Sequence, residues 1–352
     1  MSESEVVIET RGACGVATLN RPAALNALTA GMIVALAEAM DRWERDSAVA
    51  SVAVRGAGGR AFCAGADIRA LYELGRAGRR AEQVAFFHDE YNLDRRIARF
   101  AKPVVALVDG VVMGGGAGLS VNARHCVAGD RITFAMPETG IGFFPDVGAT
   151  SFLPRAGGAI AAYLGLTAAR IATGDMVALG LATAHVPTAR HDALLDRLCA
   201  GEEAAAAIGA ESATAPAAAL EADRATIERC FGADSIADIA ARLAADPSDF
   251  ARAALEAMRA KSPTSLAVAL RQMRMGAGLA LEDALRLEFR IAQRILAGHD
   301  YYEGVRAVIV DKDHKPQWRP AGLDAPTQAE IDAYFAPLDE ELSFTRKTAL
   351  AG

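Results

Sequence analysis

Hydrophobic positions first alternate along the chain and then recur at helical spacing. Residues 6–20 alternate around a glycine-containing turn at 12–15, which predicts a β-hairpin. Over 29–46, apolar residues recur at helical spacing behind Thr29, a suitable N-cap, which predicts a helix. The run SVAVRG at 51–56 predicts another strand. The first elements are therefore expected in the order strand, strand, helix, strand.

The alternation of strands and helices continues to about residue 190. A polar helix is expected over 81–100, and the apolar run at 103–112 leads into a glycine cluster and a helix near 116–124. Short strands are predicted at the segments CVAG and ITF. Because helices alternate with apolar strands, the sequence predicts an α/β layer around a largely buried sheet.

The composition changes after about residue 188, where alanine-rich segments with few strand signals predict helices. Between 262 and 297 helices are expected on either side of a glycine-containing break. The run at 304–310 fits either a strand or a helix. The sequence therefore predicts a core over 1–190 and a mainly helical region over 191–352. That region is expected to cover the site of the core, to mediate oligomer contacts, or to do both.

Composition and charge are those of an ordinary globular protein. The 352 residues are 52% hydrophobic, and the formal net charge of −7 argues against broad binding to nucleic acid or membrane surfaces. No apolar run approaches the roughly eighteen residues of a membrane span, and the acidic N-terminus resembles neither a secretory nor an organelle-targeting segment. Five scattered cysteines without a CxxC pair predict neither disulfides nor a zinc site, so a cytoplasmic location is expected.

Two glycine-containing motifs follow predicted strands and could present backbone N–H groups to a ligand. VVMGGGAG at 111–118 lies at a strand-to-helix junction, where glycine allows close backbone approach. Its spacing matches neither GxGxxG nor a P-loop, and simple close packing explains it equally well. AFCAGADIR at 61–69 predicts a turn. From its residues alone, Asp67 as a helix N-cap explains this motif better than a second backbone donor.

Two acids lie in an unusually apolar stretch, MPETGIGFFPDVGAT at 136–150. The glycines and the proline between Glu138 and Asp146 allow the chain to fold back, so that both acids could face one cavity. Two carboxyl groups in an apolar site would have one pKa raised, which provides an acid and a base together. On residues alone, helix capping or a core salt bridge explains the two acids slightly better than catalysis.

Other catalytic patterns are weaker. No GxSxG motif is present, and the six histidines show no metal-ligand spacing, so no metal site is expected. Glu90 lies in the predicted polar helix with several arginines after it. These residues favour a solvated helix face with ion pairs.

The order of these motifs resembles that of the crotonase (enoyl-CoA hydratase/isomerase) superfamily. The matching segments are, in order, LNRPAALNAL, AFCAGADIR, KPVVALVDGVVMGGGAGLS and MPETGIG. The resemblance implies an α/β fold, a crotonase-like spiral of repeated ββα units that binds acyl-CoA. It further implies that the N–H groups of Ala66 and Gly115 form an oxyanion hole, with Gly114 beside them in substrate binding. Backbone donors at turns and helix starts suit this use.

Within the superfamily, the chain is similar to the 3-hydroxyisobutyryl-CoA hydrolase branch. Gly118 stands where hydratases carry one of their two glutamates, whereas FFPDVG adds Asp146. The similarity implies that Glu138 and Asp146 are the catalytic pair and that Glu90, in FFHDEYNLD, contacts the substrate. GHDYYEGVRAVIVDKDHKPQWRP resembles the C-terminal signature of the branch, which adds a helical C-terminal region to the crotonase core.

The implied reaction is hydrolysis of a short branched 3-hydroxyacyl-CoA, most specifically 3-hydroxyisobutyryl-CoA in valine catabolism. Glu138 would attack the thioester or activate water, and Asp146 would bind the substrate hydroxyl. No metal or redox cofactor is expected, because coenzyme A is part of the substrate, and Arg69 is a candidate for its phosphates. Two alternatives stay open: a hydratase or isomerase with Glu138 as its sole acid, and a non-catalytic acyl-CoA-binding protein. Crotonase relatives are often oligomeric, which leaves a homo-oligomer as an open expectation.

Overall fold

The computed structural model describes residues 4–344, and its strands form two sheets. The strands are β1 (Val6–Arg11), β2 (Cys14–Leu19), β3 (Ser51–Gly56), β4 (Ala61–Cys63), β5 (Val104–Val108), β6 (Val111–Met113), β7 (His125–Ala128), β8 (Thr133–Ala135) and β9 (Ala184–His185). The larger sheet has the order β1-β2-β3-β5-β7-β9, with β1 antiparallel to β2 and the other neighbours parallel. The smaller sheet is parallel and holds β4, β6 and β8.

Helices surround these sheets and make up most of the chain beyond residue 190. The α-helices are α1 (Ala30–Arg45), α2 (Ile68–Arg76), α3 (Arg80–Ala98), α4 (Gly115–Val121), α5 (Ala149–Phe152), α6 (Gly158–Thr167), α7 (Thr173–Ala178), α8 (His191–Cys199), α9 (Ala204–Glu211), α10 (Arg224–Phe231), α11 (Ile236–Ala245), α12 (Asp249–Arg259), α13 (Pro263–Met275), α14 (Leu281–Ile295), α15 (Asp300–Val305) and α16 (Gln328–Phe335). No helix within residues 4–344 is long and apolar enough to cross a membrane.

Consecutive strands are divided between the two sheets, which produces repeated ββα units. β3, β5 and β7 enter the larger sheet, and the strand after each of them enters the smaller one. Gly110 makes the turn between β5 and β6 with φ +71°, and a β-carbon there would lie 2.3 Å from the Arg60 carbonyl oxygen. Glycine is therefore required at this turn. The predicted apolar run at 103–112 is thus two strands in two different sheets.

The predicted hairpin, the helix behind Thr29 and the strand at 51–56 are confirmed. The Thr29 hydroxyl accepts a hydrogen bond from the Met32 N–H at 3.2 Å, as an N-cap does. The ambiguous run at 304–310 is helical, because α15 continues into a π-helical turn over Arg306–Val310.

The larger sheet is buried on both faces along β2, β3, β5 and β7, whereas the edge strand β1 is largely exposed. Alternate residues of its strands belong to the main core cluster, and the residues between them form a second cluster with Leu194, Leu198 and Ala207 of α8 and α9. Helices that follow residue 190 therefore pack directly on the sheet. A division of the chain at residue 190 stays a prediction.

The helix α15 lies directly against the turn that follows β8. A β-carbon built on Gly304 would lie 2.4 Å from the Ile141 carbonyl carbon, and one built on Gly142 would lie 2.2 Å from the Asp300 carbonyl oxygen. These distances leave no room for side chains between the two backbones. The turn at 138–142 is therefore held by the C-terminal region.

Replacing Gly304 with alanine is expected to lower the free energy of unfolding by about 1–3 kcal/mol, because the added methyl group would overlap the Ile141 backbone. Urea denaturation measures this change. Gly209→Ala is the matched control, since Gly209 lies in the exposed part of α9 with nothing within 4 Å of an added β-carbon. The control should be neutral or gain roughly 0.5–1 kcal/mol from helix propensity. Equal losses in both variants would contradict the tight contact.

Candidate active site

Glu138 and Asp146 lie at the two ends of a tight turn between β8 and α5. A 3₁₀ turn over Glu138–Ile141 begins at the glutamate, and the chain then doubles back, with the Phe143 N–H donating to the Glu138 carbonyl oxygen at 3.0 Å. The two acids are 7% and 5% exposed. Within the described chain neither acid caps a helix, and Glu138 Oε2 has no hydrogen-bond partner. The capping and salt-bridge interpretations do not account for these acids.

The two glycine-containing motifs meet at this turn. A β-carbon built on Gly115 would lie 3.6 Å from the Ala66 nitrogen, and one built on Gly65 would lie 3.5 Å from the Gly115 nitrogen. Gly115 is the first residue of α4, so its N–H has no acceptor inside the helix. The Ala66 N–H likewise has no backbone acceptor among residues 4–344. Two neighbouring free donors can bind one developing oxyanion.

The AFCAGADIR motif has a capping role as well. The Asp67 carboxylate accepts a hydrogen bond from the Ala70 N–H at 3.2 Å and caps α2, as its residues predict. The cap, which directly follows Ala66, fixes the start of α2 at Ile68. The two interpretations of this motif are therefore compatible.

Glu90 is buried against the glycine motif. A β-carbon on Gly115 would lie 2.4 Å from Glu90 Oε1, and one on Gly114 would lie 2.9 Å from Glu138 Oε1. Glu90 is 1% exposed, so the prediction of a solvated helix face is wrong at this position. The structure thus brings six of the predicted site residues together: Ala66, Glu90, Gly114, Gly115, Glu138 and Asp146. Their roles stay predictions at this point.

Arg69 lies outside this cluster. Its side chain is exposed on α2, and its guanidinium donates a hydrogen bond to the Ile309 carbonyl oxygen at 2.7 Å. The contact ties α2 to the π-helical turn. Contact of Arg69 with the phosphates of coenzyme A stays a prediction.

Burial controls the charge of the acids in this cluster. It raises the pKa of Glu138 well above its ordinary value, and the carboxyl groups of Asp146 and Glu90 add to this effect. Burial also raises the pKa of Asp146 to about 7, against the lowering effect of the hydrogen bond from Tyr91. The pKa of Glu90 is raised by burial and by Asp146. No group of three or more His, Cys, Asp or Glu side chains in residues 4–344 is arranged to hold a metal ion.

Two residues that sequence reasoning missed act on the acid pair, Tyr91 through a hydrogen bond and Lys261 through its charge. The Tyr91 hydroxyl donates to Asp146 Oδ2 at 2.8 Å and is fully buried. The Lys261 amine would lie 3.3 Å from a β-carbon on Gly140, and its positive charge lowers the pKa of Glu138. Tyr91 stands next to Glu90 in the sequence, which is a usable signal, whereas nothing near Lys261 connects it with the site.

Two buried side chains of the C-terminal helices hold the loop that carries Asp146. Glu288 of α14 accepts hydrogen bonds from the N–H groups of Gly148 and Thr150 at 2.8 and 2.9 Å. Gln272 of α13 donates to the Pro145 carbonyl oxygen and to the Thr150 hydroxyl. The position of Asp146 therefore depends on helices far along the chain.

Comparison with known proteins identifies the family. The family model described as enoyl-CoA hydratase/isomerase matches residues 14–335. The chain belongs to this family. Among curated relatives, a protein named 3-hydroxyisobutyryl-CoA hydrolase, mitochondrial, from Danio rerio is 42% identical over 351 residues, which cover 96% of this chain and 91% of the relative. The Homo sapiens protein of the same name is 40% identical over 344 residues, covering 95% and 89% of the two chains.

Solved structures support the same assignment to the family. A carnitinyl-CoA dehydratase from Mycobacterium thermoresistibile matches with a TM-score of 0.92 and 40% identity, covering 97% of this chain and 99% of that one. An enoyl-CoA hydratase from Rhodobacter sphaeroides has the same TM-score and identity, with coverages of 97% and 100%. These matches confirm the predicted crotonase-like fold. The relatives' names differ in the reaction they give, although their identities to this chain are similar.

Replacing Asp146 with asparagine is expected to stabilise the protein at alkaline pH. The pKa of Asp146 is about 7 in the folded protein, and that of an unfolded aspartate is about 3.9. Between these values the folded state holds a proton that the unfolded state has lost, so this residue lowers stability as the pH rises. Asparagine removes this effect, and urea denaturation should show a gain of about 1–3 kcal/mol at pH 8 that shrinks toward pH 5.

The matched control for this prediction is Asp89→Asn, since Asp89 is exposed on α3. The control should show no gain that depends on pH. An Asp146→Asn protein that is no more stable than wild type at pH 8 would contradict the raised pKa.

Proposed function

We propose that the protein hydrolyses a short branched 3-hydroxyacyl-CoA thioester, most specifically 3-hydroxyisobutyryl-CoA. The observation that carries the proposal is the buried pair of Glu138 and Asp146 next to two free backbone donors. Full-length relatives at 40–42% identity are named 3-hydroxyisobutyryl-CoA hydrolases, which supports this choice of substrate. The products would be coenzyme A and the free 3-hydroxy acid.

The N–H groups of Ala66 and Gly115 would bind the thioester oxygen. When water or a carboxylate adds to the thioester carbon, negative charge develops on this oxygen, and donors fixed before the reaction stabilise it. Loss of one such donor costs about 100- to 1,000-fold in rate in comparable sites. The short distance between Glu138 Oε1 and the backbone at Gly114 supports a role for this carboxyl group next to the bound oxygen.

Glu138 would deliver the attacking oxygen, and Asp146 would bind the substrate hydroxyl and share in proton transfer. In one route the Glu138 carboxylate attacks the thioester carbon, the carbon–sulfur bond breaks, and water then hydrolyses the anhydride. In the other route Glu138 takes a proton from water, which attacks directly. In both, the departing thiolate takes up a proton. A single turnover in ¹⁸O-water distinguishes them, because label in the Glu138 side chain requires the anhydride.

The remaining site residues fit the same proposal. Glu90 would contact the acyl group, and Tyr91 would fix the orientation of the Asp146 carboxyl group through its 2.8 Å hydrogen bond. Coenzyme A would enter with the substrate, so the reaction calls for no further cofactor. A place in valine catabolism is part of the proposal. The cytoplasmic location is still a prediction, because the curated relatives are named mitochondrial. A homo-oligomer is a prediction as well.

The second candidate is hydration of an enoyl-CoA with Glu138 as the single acid and base. Two structural relatives at 40% identity are named a dehydratase and a hydratase, which favours this candidate. Hydration has no need for Asp146, whose burial near Glu138 would then have no role. A non-catalytic acyl-CoA-binding protein leaves both buried acids without a role.

Purified protein is expected to release free thiol from 3-hydroxyisobutyryl-CoA. Glu138→Gln and Asp146→Asn should each lower kcat by about 100-fold or more, because each removes a proton-transfer group. Asp89→Asn, at an exposed position, should leave kcat unchanged. Hydration of crotonyl-CoA is measured in parallel with the same proteins.

Three outcomes would contradict this proposal. Crotonyl-CoA hydration without thiol release would assign the hydratase reaction. Full thiol release by Asp146→Asn would remove Asp146 from the mechanism. Tight acyl-CoA binding without turnover would leave the non-catalytic function.

A further inference from the structure

Asp94 is a buried acid that the proposed reaction leaves without a role. It lies on α3 one helical turn after Glu90 and is 0% exposed. A β-carbon built on Gly118 would lie 2.6 Å from Asp94 Oδ1, just as one on Gly115 would lie 2.4 Å from Glu90 Oε1. Two acids one turn apart on α3 therefore face two glycines one turn apart on α4.

Neither oxygen of Asp94 has a hydrogen-bond partner within residues 4–344, and Glu90 Oε1 has none either. Buried carboxyl oxygens without partners are costly, and two ionised acids at this spacing on a helix repel each other. One proton placed between the two acids would give a partner to an oxygen of each. Asp94 and Glu90 are neighbours on one helix face, so such a hydrogen bond needs no rearrangement of the backbone.

The groups around Asp94 favour its protonated form. Glu90 faces it from α3, Asp146 from the loop before α5 and Glu288 from α14, and burial together with these three carboxyl groups raises the pKa of Asp94 well above its ordinary value. The Cys63 thiol from β4 also lies near and is neutral, since burial raises its pKa to about 12. The amine of Lys261 acts on Glu138 instead.

We propose that Asp94 is a positioning residue that carries a proton in the free protein and donates it in a hydrogen bond to the Glu90 carboxylate. This bond fixes Glu90 as an ionised hydrogen-bond acceptor in the acyl site. The hydroxyl is the one O–H or N–H donor of a 3-hydroxyacyl group. It would donate its hydrogen to Glu90, while its oxygen accepts a hydrogen bond from the carboxyl group of Asp146. The inference rests on the proposed function for the identity of the substrate, and the location of the proton is independent of it.

The variants Asp94→Asn and Asp94→Leu test whether this position acts by donating a hydrogen bond, and not by its charge or by the volume of its side chain. Asparagine keeps an N–H donor and similar size, whereas leucine keeps the volume and removes the donor. Asp94→Asn should retain KM for 3-hydroxyisobutyryl-CoA within about threefold, and Asp94→Leu should raise it about tenfold or more, since a buried acceptor then loses its partner. Asp89→Asn on the exposed face of α3 is the control and should leave KM unchanged.

A comparison of substrates distinguishes this role from a general packing defect. Isobutyryl-CoA lacks the hydroxyl, so its inhibition constant should change less than threefold in Asp94→Leu while KM for the hydroxylated substrate rises. Equal weakening of both ligands would show a packing defect and overturn the proposal. Equal losses of substrate affinity in Asp94→Asn and Asp94→Leu would overturn the proposal as well. They would show that a neutral hydrogen-bond donor at position 94 does not maintain substrate binding.

Infrared spectroscopy tests the proton without any assay of activity. The wild-type protein at pH 7 should show a protonated-carboxyl band that is reduced in Asp94→Asn and unchanged in Asp89→Asn. An unchanged band in Asp94→Asn would show that Asp94 is ionised and would overturn the proposal. If the wild-type protein released no thiol, the proposed function would fail while the infrared result would still decide where the proton lies.

Discussion

Five buried carboxyl groups lie close enough to influence one another's pKa, and the surrounding loops and helices are arranged to hold them. These are Glu90, Asp94, Glu138, Asp146 and Glu288. An ionised acid loses the free energy of its hydration on burial, and an ion pair would have to offset that loss. Here the nearby cation that acts on Glu138 is the amine of Lys261, whose own pKa burial lowers. Burial therefore favours protonated forms within this group of acids over ion pairs, and a group that holds some protons but not others offers both proton donors and proton acceptors at neutral pH.

The C-terminal helices are part of this site because they hold its loops. Glu288 and Gln272 bind the backbone around Asp146 through hydrogen bonds from a distance of more than 120 residues along the chain. The contact of Gly304 with Ile141 holds the turn of Glu138 in the same way. Acids with raised pKa values destabilise the folded state at neutral pH, so a loop that carries them needs such support. The loops that carry Glu138 and Asp146 and the helical region consequently depend on each other.

The sequence predicts those features that local pattern determines. The hairpin, the N-cap of α1 and the fold-back between Glu138 and Asp146 follow from periodicity and turn residues. The division of 103–112 between two sheets depends on which strands pair, and no local pattern encodes this. Glu288 illustrates the same limit. It lies among the apolar residues on the buried face of α14, a pattern that predicts only core packing. Only the tertiary structure shows that its carboxyl group meets the backbone of another segment.

Gly118 shows that a sequence motif alone can give the wrong number of acidic groups near a site. The resemblance to hydratases indicates that one of two acids is missing at this position. The structure places an oxygen of Asp94 2.6 Å from the point where a side chain at Gly118 would begin, so a carboxyl group occupies the same region from a different helix. The number of buried acids near Gly118 therefore does not distinguish hydration from hydrolysis. Under the proposed function, the distinguishing feature is Asp146 beside Glu138, because the fold itself accommodates either reaction.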